Sequence, residues 1–159
     1  MAPADNRNWT VLLDGSGLPD RAVIGGKAWS IAKMQSLGLP VPAAFTVTTA
    51  ACTSYLTQGV FPNGLVEEVR DGIEWLNNQS GRTFAGADKP LLVSVRSGAP
   101  VSMPGMMDTV LNLGITEATE SALAVETGDA AFARDTHRRF LELYASIVLK
   151  ATIPALDPN

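Results

Sequence analysis

Two cations in this sequence stand where glycines would let an anion approach the main chain. Arg96 follows the apolar run Leu91–Val95 and opens a loop with Gly98 and Gly105, stiffened by Pro100 and Pro104. Its planar, permanently charged fork suits a phosphate or carboxylate. Lys27 follows Gly25-Gly26 at the start of a helical pattern. A lysine in a first helical turn is repelled by the positive end of the helix dipole, and a bound phosphate would compensate. The spacing differs from the Walker phosphate loop, which needs a further glycine with four residues between it and the Gly-Lys pair, and Ser or Thr after the lysine, where this chain has Ala28. Taken alone, Gly-Gly-Lys more often marks an exposed, idle lysine, and a strand-to-strand loop of this length is as readily a long hairpin connection. Met103, Met106 and Met107 sit on the same loop and suit packing beneath it or against a flat ring.

The elements that must hold these residues are legible as patterns. Leu91–Val95 reads as a buried strand and Thr109–Leu113 as a second. Trp9–Leu13 reads as a first strand, closed by the turn Asp14-Gly15-Ser16-Gly17. The helix beginning near Lys27 keeps Ala28, Ile31 and Ala32 on one face and ends at Gly38 and Pro40. Ala43–Val47 reads as a strand, after which Thr48 or Thr49 caps a helix through Thr57 with Gly59 beyond. From Gly64 to Leu76 the residues Leu65, Val66, Val69, Ile73 and Leu76 recur at helical spacing, with Glu67, Glu68 and Arg70 directed outward. Asn77–Lys89 is then a polar connection. Thr116 caps a helix with Glu117 and Glu120 near its start, and Asp129 begins a last helix with Phe140, Leu143, Tyr144, Ile147 and Val148 as its apolar stripe. On that helix Arg134 is assigned to solvent, and so is His137, the only histidine.

Composition bounds the rest. A chain of 159 residues, 46% hydrophobic and 18% charged, supports one compact domain over residues 9–150, with flexible segments at 1–8 and 151–159. No apolar run approaches a membrane span and Met1–Trp9 has no signal-peptide core, so a cytoplasmic protein is expected. Cys52 is the lone cysteine and is read as a small buried side chain; no multi-cysteine metal site exists. A formal charge of −4 with no basic run argues against nucleic acid as a partner.

The segment Ser94–Ala99 together with Ser102–Gly114 closely resembles the amino-terminal nucleotide-binding domain of pyruvate, phosphate dikinase. Resemblance extends to Ile24–Ala28, to Gly38–Pro42 leading into Phe45–Thr49, and to Arg138-Arg139-Phe140 with Tyr144, covering roughly Trp9 to Val148. The related phosphoenolpyruvate synthases share the general pattern with a differently worded loop. The resemblance implies a mixed α/β (α+β) chain forming the first subdomain of an ATP-grasp-like nucleotide-binding domain. It implies ATP with Mg as ligand, AMP as the product form, and Lys27, Arg96, Ser102, Met103, Gly105, Met106, Met107, Asp108 and Thr109 around the nucleotide. One of Arg138 and Arg139 would face the phosphates. His137 does not match the family's phosphate-carrying histidine. The second subdomain with the acidic metal ligands, the phosphohistidine domain and the pyruvate-binding barrel are not in this sequence, so no catalytic or metal-binding residue is assigned and the chain alone is expected to be inactive. Three readings stay open: a nucleotide-binding subdomain completed by the remaining dikinase domains or by a separate chain, a stand-alone non-catalytic interaction or regulatory module, and a dikinase-like chain without ligand. An apolar face left by the missing half would favour a homodimer.

Overall fold

A computed structural model describes residues 8–98 and 108–151. These fall into two compact units, residues 8–76 and residues 77–97 with 108–151. Both mix helices with small two-stranded sheets.

In the first unit, β1 (Thr10–Leu13) pairs antiparallel with β2 (Ala44–Val47), Thr10 opposite Val47 and Leu13 opposite Ala44. Between them lies α1 (Arg21–Ser36), started by Asp20, whose carboxylate accepts from the Ala22 amide at 2.8 Å. Its end is a Schellman motif: Leu39 N–H bonds to Met34 and Gly38 N–H to Gln35, satisfying carbonyls the helix itself leaves open. The Ala28, Ile31 and Ala32 face packs with Leu13, Ile24 and Ala44 into one core cluster, as the spacing predicts. Thr48, only 2% exposed, caps α2 (Thr49–Gln58). Trp9, Ala51 and Leu65 form a second cluster, joined by Val69. Here Ala51 takes the buried position and Cys52 is exposed, contrary to the expectation of a buried thiol, because the inward face of α2 falls one residue earlier.

Helix α3 (Leu65–Ser80) runs one turn further than the apolar spacing suggests, since its last turn, Asn77–Ser80, is polar throughout. Glu68 is not directed outward. It is half-buried and its Oε2 accepts from the Trp9 amide at 2.7 Å, the Thr10 amide at 2.8 Å and the Thr10 hydroxyl at 3.1 Å. A carboxylate thereby holds the entry to β1, accepting from two consecutive amides and a hydroxyl. Glu67 and Arg70 are exposed.

In the second unit, the stretch read as a plain connection carries β3 (Thr83–Phe84), which pairs in parallel with β4 (Pro90–Leu91). Asn77 helps to place it by accepting the Phe84 amide at 2.8 Å. Next come β5 (Val93–Arg96) and β6 (Thr109–Leu113), antiparallel with an irregularity between Val93 and Val95. The run Leu91–Val95 is therefore two short strands and not one buried one: Val95 is 49% exposed. Its sheet has only two strands, and pairing with β6 alone leaves one face of Val95 without a packed layer among the described residues.

Thr116 and Thr119 form a reciprocal capping box on α4 (Glu117–Thr127), with Thr119 fully buried. Asp129 caps α5 (Ala130–Leu143), and a π-helical turn, Tyr144–Val148, follows. That turn alters the predicted stripe: Phe140, Leu143 and Ile147 are half-buried and Ala145 is buried, while Tyr144 and Val148 are exposed. A wider turn rotates the side chains beyond it off the 3.6-residue phase. His137 is not solvated as expected, its side chain being only 17% exposed, and its Nδ1 lies 2.6 Å from Glu120 Oε2, tying α5 to α4.

Candidate functional site

Lys27 owes its position to Gly25. Within α1 that residue has φ 80° and ψ 165°, a region essentially closed to residues with a Cβ, and it divides the helix into a first turn and a longer segment. Lys27 therefore stands in the first turn of the longer segment, directly after the buried Gly25 and Gly26. It is half-buried and has no ion pair or side-chain hydrogen bond among the described residues. The first turn is anchored on both sides, by Asp20 and by Thr49, whose hydroxyl donates to the Ala22 carbonyl at 2.7 Å. The helix dipole disfavours a cation in this turn, and no carboxylate among the described residues pairs with it.

Gly25→Ala is expected to cost about 1–3 kcal/mol, since alanine cannot hold these angles without strain. It should also displace Lys27. Thermal unfolding would show the loss, and a melting temperature equal to that of the parent chain would disprove the strain.

Arg96 ends β5, exposed, with Thr109 as its cross-strand partner. One residue on, the hairpin is clamped: Ser97 donates to the Asp108 carbonyl through both its amide (3.3 Å) and its hydroxyl (3.1 Å). Arg96 makes no ion pair among the described residues. The Asp108 carboxylate is met by the Lys150 ammonium at 3.8 Å. Thr109 is half-buried at the start of β6. Ser102, Met103, Gly105, Met106 and Met107 lie outside the described residues.

Arg138 and Arg139 are held by their own helix. Arg138 reaches both Asp135 and Glu142 at 2.6 Å, and Arg139 reaches Asp135 at 2.7 Å. Arg134 is exposed. Hydrogen bonding from Arg138 holds the Asp135 carboxyl below its ordinary range, and Arg82 does the same to Glu126. A carboxyl whose folded pKa is depressed contributes stability above its unfolded value and loses it as pH falls through the folded one. Acid should therefore erode stability below about pH 4 in part through these two groups. Asp135→Asn combined with Glu126→Gln is expected to flatten that limb of a pH–stability curve, and an unchanged limb would remove both pairs from the account.

Among the described residues no group of three or more His, Cys, Asp or Glu is placed to hold a metal ion. Asp108 is a single carboxylate already facing a lysine, so it does not by itself make a site for magnesium, which takes an octahedral set of oxygens. No helix among the described residues is long and apolar enough to cross a membrane.

A family model described as the pyruvate phosphate dikinase AMP/ATP-binding domain matches residues 21–75. The chain is 52% identical over 131 residues to a pyruvate, phosphate dikinase of Rhizobium meliloti, an alignment that takes in 82% of the chain. This chain is related to part of pyruvate, phosphate dikinase. The dikinases of Giardia intestinalis and Clostridium symbiosum are 49% and 41% identical over 81% and 89% of the chain. The chain spans only 15% of the length of the first two and 16% of the third. The dikinase domain match begins at the first residue of α1 and so contains Gly25, Gly26 and Lys27, whereas Arg96 lies beyond its end. An alignment over 82% of the chain necessarily includes Arg96 and the loop to Asp108.

The sequence patterns together with the family resemblance led to Lys27, Arg96 and the hairpin, and they missed three polar residues. Glu68 borders an apolar stripe one turn after Leu65, a signal too weak to separate a buried carboxylate from a solvated one. The partnership of His137 with Glu120 spans two helices, and Lys150 reaches Asp108 only through the π-helical turn.

Proposed function

We propose that this chain is the ATP-binding subdomain of a dikinase-like phosphotransferase of the ATP-grasp kind. The observation that carries the reading is Lys27: a half-buried cation without a counter-ion among the described residues, put at a helix start by a glycine-only backbone, inside the stretch that matches an AMP/ATP-binding domain. Arg96 supports it as a second exposed cation beside a glycine-bearing loop. In this reading Lys27 and Arg96 each contact phosphate oxygens, and Ser102, Met103, Gly105, Met106, Met107, Asp108 and Thr109 line the nucleotide. Of the helical pair, Arg139 is the freer to turn to a phosphate, being 66% exposed with one carboxylate contact, where Arg138 is held by two.

The nucleotide's phosphates would suit Lys27 and Arg96, neither of which has an ion pair among the described residues; magnesium would arrive with the nucleotide, since no cluster of acidic residues among the described ones is placed to hold it. Phosphoryl transfer needs the metal, an acceptor and an aligned phosphate chain together, and this chain offers only the hold on the nucleotide. The family reaction to which that hold would contribute converts ATP, phosphate and pyruvate into AMP, pyrophosphate and phosphoenolpyruvate. By itself the chain binds and does not turn over.

Calorimetric titration of the purified chain with Mg-ATP tests the reading. Saturable heat supports it. Absence of binding up to millimolar nucleotide would overturn it in favour of a non-catalytic interaction module.

A further inference from the structure

We propose that the outer face of α2, with the turn that follows it, is an interface through which two copies of this chain associate. Charge is the first indication. Residues 34–66 contain no Asp, Glu, Lys, Arg or His, in a chain that is 18% charged. This stretch includes β2 and all of α2, and neither end of α2 carries a charged residue to answer its dipole. A helix that stays against water normally turns charged residues outward. Here only Ala51 of α2 is buried, and every outward residue is uncharged.

What that face presents is apolar. Cys52, Tyr55 and Leu56 are exposed and, at spacings of three and four, share one side of the helix. Gly59 then ends α2 in a left-handed conformation, its N–H bonded to the Tyr55 carbonyl at 2.7 Å, and the Phe61 ring comes to lie 5.2 Å from that of Tyr55. Leu56 is 76% exposed, Phe61 63% and Val60 60%. Together these side chains leave on the order of 400 Å² of apolar surface in water, the scale at which a patch marks a binding site. Aromatic side chains without acidic or basic neighbours are the composition of an interface core, and rings already in contact lose little freedom on docking.

The same features identify the occupant. A neutral face offers no charge by which a polyanion or a charged surface could recognise it. It can meet itself without placing like charges together, although the chain carries −4 overall, because all of that charge lies outside residues 34–66. A twofold axis across the patch lays α2 antiparallel to its copy, so that each end of the dipole, unanswered by charge in its own chain, meets the opposite end of the other helix. A different protein would have to bring a matching neutral face; a second copy brings it necessarily. With about half of the ~800 Å² per partner of a stable interface, the patch supports a weak dimer, with a dissociation constant on the order of 10–100 μM.

Sedimentation velocity of the full chain from about 1 to 500 μM tests this, beside Leu56→Glu and a control, Val125→Glu, that puts the same charge on an exposed valine of α4. Cys52, the only cysteine, reports on the face itself through its rate of reaction with a thiol reagent. The parent and Val125→Glu are expected to pass from the monomer mass of 16.8 kDa toward twice that as concentration rises. In both, Cys52 should slow by about twofold when half the chains are paired. Leu56→Glu should stay monomeric, with a concentration-independent Cys52 rate and a melting temperature equal to that of the dilute parent. A parent chain that is monomeric throughout would overturn the proposal. So would a dimer that survives Leu56→Glu, one that Val125→Glu also abolishes, or one in which Cys52 keeps its monomer rate.

Discussion

Arg96→Ala is expected to weaken Mg-ATP binding by about ten- to a hundredfold, the range for removing a hydrogen-bonded contact between a fixed charge and a charged ligand. The guanidinium is exposed at the end of a strand whose neck is clamped by two hydrogen bonds from Ser97 to Asp108, and no carboxylate among the described residues competes for it. Its fork can therefore present two N–H groups to one phosphate with little rearrangement. Lys27→Ala should cost less, about fivefold, because a lysine offers a point charge on a flexible stem, and the helix start remains to attract the anion. Calorimetry on the two variants separates these effects. Equal losses, or none in either, would count against the assigned hierarchy. Neither variant should lower the melting temperature appreciably, since neither side chain is tied to another described residue.

The largest effect on stability is expected from Gly114→Ala. Gly114 follows β6 with φ 104°, and a Cβ built there would lie 2.8 Å from the Phe84 ring and 3.0 Å from the Leu91 carbonyl oxygen. The ring can give way, but the carbonyl belongs to β4 and cannot move without disturbing its pairing with β3. Unfavourable backbone angles and overpacking add here, and the expected cost is about 2–4 kcal/mol, a melting temperature lower by roughly 5–15 °C. Gly128→Ala is the control. It shares the positive φ, at 69°, but has no atom within 4 Å of the added carbon, so it should cost only the backbone term, about 1–2 kcal/mol. Similar melting temperatures for the two variants would show that the contact with Leu91 does not matter.

How much could be read from residues alone depended on how local the cause was. Three helix starts were legible because one side chain makes each of them: Thr48, Thr116 and Asp129 cap as their types and positions suggest, whereas α1 begins at Arg21, capped by Asp20, a turn and a half before the start expected near Lys27, because the glycine pair conceals the turn that precedes it. The end of α1 at Gly38 was equally local. The extent of α3 was not, because Asn77–Ser80 has no apolar period to reveal it, and the helix continues through a polar turn. Cys52 was misplaced for a related reason. Ala51 and Cys52 are both small and apolar, and only the rotation of α2 against Trp9 and Leu65 decides which of them is buried.

The candidate site divides along the same line. Gly25, Gly26 and Lys27 are neighbours in the chain and so visible as a pattern, but that pattern alone favours an idle lysine and does not show that Gly25 interrupts a helix already begun at Arg21; the resemblance to the dikinase domain is what makes it a candidate. Arg96 was recognisable because the strand before it and the loop after it are contiguous. Sequence by itself thus determined where the cations stand and which backbone freedoms accompany them, since both follow from residue type within a few positions. Only the tertiary structure decided what each charge meets: that Glu68 serves the amides of Trp9 and Thr10, that His137 joins Glu120, that Arg138 is held by Asp135 and Glu142, and that Lys150 arrives beside Asp108. The physical reason is that a charge's partner is fixed by distance in space. Apart from the pairs one helical turn apart, distance in space follows from packing and from one π turn, neither of which has a local pattern in the chain.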